Sequence, residues 1–577
     1  MKQVGVLGVH LMKILPLSED LLLLRSLQWI SYFSRMRKWL LIVICFVSLN
    51  GFTQAYDIIL RNGTIYDGSG KLPFHADLAI SADTIAAIGN LSSAKGKTEI
   101  DIKGLAVAPG FINMLSWADG TLLEDGRGVS DIKQGVTLEV FGEGLSPGPR
   151  KRKPDDKLWS TLGGYFDHLK VKGVSPNYAS FIGATTVRTY VIGYQNRKPT
   201  PAELQQMKNL VKQAMEEGAM GVGSSLIYAP AGFASTEELI ELCKVASEFG
   251  GMYITHMRSE SDKILSALNE TFRISREANL PAEIYHLKIN HERNWNKIDT
   301  VLFKIDSAQN AGLKISANMY PYIASATGLI QRVPNWAQEG GSVQMRTRIK
   351  NPETRKKILY DMEHGIPERN SEPKDVGLLG FRKDSLSRLY KGKRLDEVAR
   401  LHGKNADETV LDLLTADKSS IGALYFLISE ENMKRMMQKS YVSMGSDGGA
   451  MALTKTFLSL GIHPRAYGTF ARFLGKYVRE DKLMTLEEAV RRLTSMPASH
   501  MKIQKRGALK KGHYADVVVF DPEKIQDHAT FENPHQYATG VSHVFVNGIQ
   551  VLKDGEHTGA KPGRVVRGPG YQVKKTK

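Results

Sequence analysis

Eight short strand-like segments alternate with amphipathic helices between residues 106 and 447, and this alternation constrains the fold more than any other feature. The predicted segments are Ala106–Leu115, Val136–Glu143, Ala179–Ala184, Gly221–Leu226, Met252–Met257, Glu283–Lys288, Lys314–Tyr320 and Tyr441–Asp447. Between them, stretches such as Glu203–Glu216 and Thr236–Phe249 carry Leu, Ile, Val and Ala at helical spacing. Strand–helix alternation predicts a parallel sheet. Eight such units are what a (β/α)8 TIM barrel needs, and in that fold the reactive side chains stand at the C-terminal strand ends.

The two flanks read differently. Tyr56–Tyr66 alternates like a strand, with a turn signal at Asn62-Gly63, and Ala76–Leu91 repeats the pattern. Near the other end, Ala515–Asp521 is a strand, and Val541–Val551 is a hairpin around Asn547-Gly548. The α/β fold expected is therefore a barrel over 108–499 plus a small β-sandwich domain built from both termini, 56–107 and 500–577. A charged, helical insertion at 335–420 separates the last two barrel strands. It reads either as a lid over the barrel mouth or as ordinary surface helices.

Met36-Arg37-Lys38, the apolar run Trp39–Leu49 and Thr53-Gln54-Ala55 form the three parts of an export signal, 36–55. Residues 1–35 fit no part of it and read as a non-native upstream extension. The expectation is an exported, periplasmic protein with no stable membrane insertion after cleavage; the other reading is an anchor built from both apolar pieces. Of the two cysteines, Cys45 would leave with the signal and Cys243 would remain alone. The net charge of +17 is scattered along the chain, with no accompanying recognition motif, so no nucleic-acid partner is expected.

Three predicted strands end in groups that suit a metal site. These are Thr255-His256-Met257-Arg258, Tyr285-His286-Leu287-Lys288 and Gly445-Ser446-Asp447-Gly448. Two imidazoles and a carboxylate at one barrel mouth form a zinc-type donor set. Glu143, between Gly142 and Gly144, reads either as a third ligand or as a substrate-facing or structural acid.

Further segments follow in a fixed order: Pro109-Gly110-Phe111-Ile112, Gln134-Gly135-Val136-Thr137, Gly218–Pro230, Tyr320-Pro321-Tyr322, His463-Pro464-Arg465 and Gly512–Asp516. With the strand ends above, this ordered set resembles the N-acyl-D-amino-acid deacylases (D-aminoacylases) of the amidohydrolase superfamily. The resemblance covers nearly all of the chain after residue 56. It implies a zinc-dependent hydrolase that cleaves the amide of a small-molecule N-acyl-D-amino acid. His256 and His286 would hold the ion, Asp447 would be ligand or general acid/base, and Lys288, Tyr320 and Arg465 would grip the substrate carboxylate. Tyr228 and Arg188 are further candidates for the pocket, each also readable as structural.

Three departures from the family pattern stand out. Where the family has Asp-x-His-x-His after the first strand, this chain has Asn113-Met114-Leu115-Ser116-Trp117. The family's bridging cysteine falls on Gly144, and a serine falls on Ala326, beside Ser325. The expectation is one zinc per chain, with Glu143 as the arguable third ligand. Other amidohydrolase activities, on cyclic amides or dipeptides, and a non-catalytic binding role are the competing readings.

Overall fold

The computed structural model describes residues 55–151, 158–365 and 371–572. The predicted extension 1–35 and the predicted signal up to residue 54 lie outside the described residues. No helix among the described residues is long and apolar enough to cross a membrane.

Eight parallel strands form the barrel. They are Phe111–Asn113, Val136–Phe141, a third strand split into Asn177–Ser180 and Ile182–Gly183, then Gly221–Ser225, Met252–His256, Ala282–Ile284, Ile315–Met319 and Val442–Met444. Backbone bonds close the ring, from Met114 N to Met444 O (3.4 Å), from Asp447 N to Leu115 O (2.8 Å) and from Phe181 N to Phe141 O (2.9 Å). Alternation along each strand sorts the side chains. Ile112, Leu138, Val140, Met252 and Ile254 fill the barrel interior, while Phe111, Phe141 and Tyr253 face the helical layer. The helices form where the spacing predicts. Pro201–Glu216 starts on a complete capping box from Thr200 and Glu203, and Thr236–Glu248 is capped by Ser235.

The observed strands are shorter than the predicted ones, and this matters for the site. Glu143, His286, Lys288 and Asp447 all lie beyond their strands, on turns. His286 (φ 34°) and Asp447 (φ 48°) adopt left-handed backbone, a strained conformation that recurs at functional sites.

The β domain is one nine-stranded sheet with strands from both ends of the chain. It curls until its edge returns on itself. Ile85 N donates to His513 O (2.9 Å), and Ala515 N donates to Asp83 O (2.8 Å). Leu60, Leu78, Ile85, Val107, Val517 and Phe545 pack inside the curl, whereas Val518 and Phe520 face the barrel core. The strand Val517–Phe520 is therefore buried on both faces, each side chain contributing about 1.5–3 kcal/mol. Asn547-Gly548 makes the expected hairpin turn. Asn62-Gly63 does not turn the chain; it forms a bulge inside the continuous strand Ala55–Ile65. Beyond the sheet, Tyr178 N donates to Arg564 O (3.1 Å) and Val566 N to Tyr178 O (2.8 Å), tying the tail to the third barrel strand.

The insertion carries helices such as Ser342–Lys350, Pro352–His364 and Ala406–Asp417 around its own core. A three-stranded antiparallel sheet joins it to its flanks: Ser325–Gly328 before it and Gly422–Tyr425 after it pair with each other, and Val376–Gly380, a strand the helical reading missed, comes from the insertion itself. These strands are four or five residues long and rich in glycine, too short to show alternation.

Candidate active site

A cavity of about 590 Å³ opens at the C-terminal strand ends. Glu143, His256, His286, Lys288, Tyr320, Asp447, Arg465 and Tyr228 all line it, as do Ser325 and Ala326. Ser371 and Ser420 of the insertion line it too, as do Tyr425 and Leu427 just beyond the insertion.

Glu143 reaches the site because of its two neighbours. Gly142 (φ 109°) lets the second strand pass the third, where a Cβ would lie 2.5 Å from Phe181 O. Gly144 (φ 69°) abuts the fourth strand, where a Cβ would lie 2.0 Å from Ser225 Oγ. Both conformations favour glycine, and together they turn the intervening carboxylate into the barrel mouth. His256 arrives there by simple alternation, on the interior face with Met252 and Ile254. His286 comes from the turn after the sixth strand, where its backbone N donates to Asn318 Oδ1 (2.9 Å).

The three side chains meet. Glu143 Oε1 lies 3.0 Å from His256 Nδ1 and 3.1 Å from His286 Nε2. One donor atom from each lies within 4.8 Å of the others, and all three residues are buried. Burial lifts the Glu143 carboxyl, but the hydrogen bonds and charges of the two imidazoles outweigh it and hold it below its ordinary value. A buried carboxylate between two imidazoles is the donor set a divalent transition metal selects.

Glu260 was not singled out from the sequence. It lies four residues beyond His256, in the polar loop Ser259-Glu260-Ser261, and that spacing was the only signal. Its Oε1 is 2.9 Å from His286 Nδ1 and accepts from Lys288 Nζ at 2.6 Å, and its Oε2 is 3.6 Å from His256 Nε2. It thus stands behind both imidazoles. Burial pushes this carboxyl up, yet His256, Lys288 and His286 together pull it far below the usual range. Lys288 is committed to these neighbours, with Nζ also 2.8 Å from His286 Nδ1 and 3.2 Å from His286 O.

On the other side of the cavity, Asp447 is held at both oxygens. Trp117 Nε1 donates to Oδ1 (2.9 Å), and Arg465 Nη2 pairs with Oδ2 (2.8 Å). Burial raises the Asp447 carboxyl above its ordinary value although Arg465 opposes the shift. His463 sets Arg465 at the start of its helix. Its Nε2 donates to Ala324 O (2.9 Å), which leaves Nδ1 to accept from Arg465 N (2.9 Å). Burial and the neighbouring guanidinium keep His463 neutral, well below its ordinary pKa. Arg465 stacks over the Tyr320 ring at 4.6 Å. Arg465 Nε and Nη1 and the Tyr320 hydroxyl are buried without a protein partner. Buried donors of this kind await an acceptor.

Tyr228 packs edge-on against His256 (5.1 Å), and its hydroxyl accepts from Thr327 (3.1 Å). Arg188 does not join the site. Its side chain, 1 % exposed, pairs with Glu238 at 2.5 Å and donates to Gln195 O and Arg197 O, locking a helix to a loop away from the cavity.

The model described as Amidohydrolase family matches residues 431–552. D-aminoacylase of Alcaligenes xylosoxydans xylosoxydans is 35% identical over 526 residues, spanning 89% of this chain and 98% of that protein. The chain belongs to the D-aminoacylase family of amidohydrolases. Among solved structures, N-acyl-D-glutamate deacylase from Bordetella bronchiseptica, complexed with zinc and a phosphonate mimic of the tetrahedral intermediate, superposes with a TM-score of 0.75. It is 29% identical and covers 89% of this chain and 100% of its own. A D-aminoacylase structure addressing a binuclear metal centre, with one-metal activation and second-metal attenuation, gives 0.75 at 32% identity and covers 89% and 100%.

Proposed function

We propose that this member of the family hydrolyses the amide bond of N-acyl-D-amino acids, using one zinc ion held by Glu143, His256 and His286. The observation that carries this reading is the pairing of that donor set with the unpartnered Arg465 and Tyr320 donors in one buried cavity. A cation-binding cluster facing an anion-binding one fits a substrate with a polarisable amide and a free carboxylate.

When bound, a zinc ion at this donor set supplies Lewis acidity, acidifying water and polarising a carbonyl. The chain's own groups do the rest. Glu260 Oε1, 2.9 Å from His286 Nδ1, would accept the Nδ1 proton when Nε2 holds the ion, and so orients the ring. Asp447 takes the proton of the attacking water and returns it to the leaving amine. Its raised pKa suits a group that must hold that proton in mid-reaction. Arg465 presents Nε and Nη1, and Tyr320 its hydroxyl, to the substrate carboxylate, while Nη2 keeps Arg465 anchored on Asp447. This fixes the distance between carboxylate and proton acceptor, the main catalytic use of such a clamp. Lys288, spent on Glu260 and His286, contributes its charge rather than a direct hydrogen bond.

The test is hydrolysis of N-acetyl-D- and N-acetyl-L-amino acids by purified protein, with metal content measured by elemental analysis. The expected result is D-selective release of acetate, loss of turnover with chelator, and recovery with zinc. A metal-replete protein that leaves every N-acyl amino acid intact overturns the reading. Export rests on Met36–Ala55, and a mature N-terminus at Tyr56 in a periplasmic fraction is the outcome it requires.

A further inference from the structure

Trp117 lines the cavity beside Asp447. Its backbone is fixed first, with Trp117 N donating to Gly448 O (2.9 Å) and Asp447 N to Leu115 O (2.8 Å), so the ends of the first and eighth strands are stitched together. The indole N–H then lies on Asp447 Oδ1 at 2.9 Å, opposite Arg465 on Oδ2. Leu115, two residues earlier, is apolar and 1% exposed. Among the described residues, the only cluster of His, Cys, Asp and Glu able to hold an ion is Glu143, His256 and His286, and Asp447 is not part of it. A carboxylate whose two oxygens each accept one bond, from an indole and a guanidinium, has its orientation set by the protein, and a second cation there would crowd the indole ring and meet the guanidinium charge.

We propose that Trp117 is a positioning residue for the reaction: its indole aims Asp447 and excludes a second ion from that carboxylate, so the centre takes up one ion and is indifferent to excess metal. This rests on the deacylase reading for its kinetic part only. The ring fills the space beside Asp447 while its N–H does the aiming, so the two roles separate by mutation. Trp117→Phe keeps the filling and removes the donor. Leu115→His/Trp117→His replaces the filling with two imidazoles beside Asp447.

The experiment combines zinc binding by equilibrium dialysis with steady-state kinetics over a zinc series, folding being checked by thermal denaturation. Wild type should saturate at one ion per chain and hold its rate as zinc rises. Trp117→Phe should keep one ion and an unchanged KM but lose about 10- to 100-fold in kcat, the range for a hydrogen bond to a charged group. The double-histidine variant should bind a second ion. Two ions on wild type, or a Trp117→Phe enzyme with wild-type kcat, overturns the proposal, as does a Trp117→Phe effect confined to KM. If no N-acyl amino acid is turned over, the functional reading fails, while the stoichiometries of wild type and double variant still decide the exclusion.

Discussion

Removing the Glu260 carboxylate should separate two effects that the structure ties together. Its Oε1 is shared by Lys288 Nζ at 2.6 Å and His286 Nδ1 at 2.9 Å, and Lys288 is 5% exposed. Glu260→Ala leaves the ammonium buried with only His286 as acceptor. Deleting one partner of a buried pair costs about 3–5 kcal/mol. It also strips His286 of its outer acceptor, which for metal-bound histidines costs about 10- to 100-fold in affinity, or about 1.4–2.7 kcal/mol. Glu260→Gln keeps an acceptor oxygen of the same reach but carries no charge. It should lose less than Glu260→Ala on both counts.

The two effects read out in different assays. Urea denaturation of metal-free protein reports the buried charge, and competition with a chromophoric chelator reports the affinity. The sign of the titration favours working near neutrality. A carboxyl held far below its ordinary pKa contributes fully above the unfolded value and is lost only as pH falls through the folded one. The whole effect should therefore be visible at pH 7–8. A Glu260→Ala protein with wild-type zinc affinity would refute the argument that this carboxylate orients the imidazoles. Equal urea midpoints for the alanine and glutamine variants would refute the buried-charge argument.

Arg188→Met should destabilise the fold by about 3–5 kcal/mol, because Glu238 is left buried and unpaired, yet kcat/KM per folded molecule should stay at the wild-type value. Arg465→Met should cut kcat/KM for an N-acyl-D-amino acid by about tenfold or more, and the preference for the free acid over its methyl amide should collapse with it. Glu139 is fully buried, and its pKa is raised by that burial to about 7 from 4.5. The sign is opposite to that of Glu260: its contribution is complete below the unfolded pKa and fades as pH rises through 7, a loss of about 3 kcal/mol. Urea midpoints between pH 5 and 8 should show the decline in wild type, and Glu139→Gln should reduce it, with the neighbouring Asp131, also raised by burial, supplying the remainder.

What could be read from the sequence was what repeats or ends abruptly. The eight strands were legible because a buried parallel strand is a short apolar run between turn signals. His256 and Asp447 were legible because a polar group closing such a run must point into the barrel mouth. Glu143 could be named but not assigned, since only the fold shows that Gly142 and Gly144 turn it between two imidazoles. Glu260 escaped because its loop follows the strand without any periodicity. Arg188 was misplaced for a different reason. A long cation after a strand end can reach inward or back along its own helix, and Glu238, fifty residues on, decides which. Trp117 was legible as a departure from the family's His-x-His, but its polar edge has meaning only beside Asp447.

The departures from the family pattern are coupled through backbone geometry. The position where the resemblance places a bridging cysteine is Gly144, and a Cβ there would lie 2.0 Å from Ser225 Oγ and 2.8 Å from its backbone N, on a left-handed backbone. No side chain can stand at that point while the second and fourth strands keep this approach. A donor for His256 and His286 must therefore come from the preceding residue, further from the histidines along the chain. A glutamate, longer by two atoms than a thiol, spans that step and reaches both ring nitrogens at 3.0 and 3.1 Å. The exchange also replaces a soft donor with a hard carboxylate. With Trp117 and Arg465 each engaging one oxygen of Asp447, the three-residue donor set lies on one side of the cavity only. The loss of the first-strand imidazoles and the shift from residue 144 to residue 143 thus favour the same outcome, a single cation position with Asp447 left free of it to move protons.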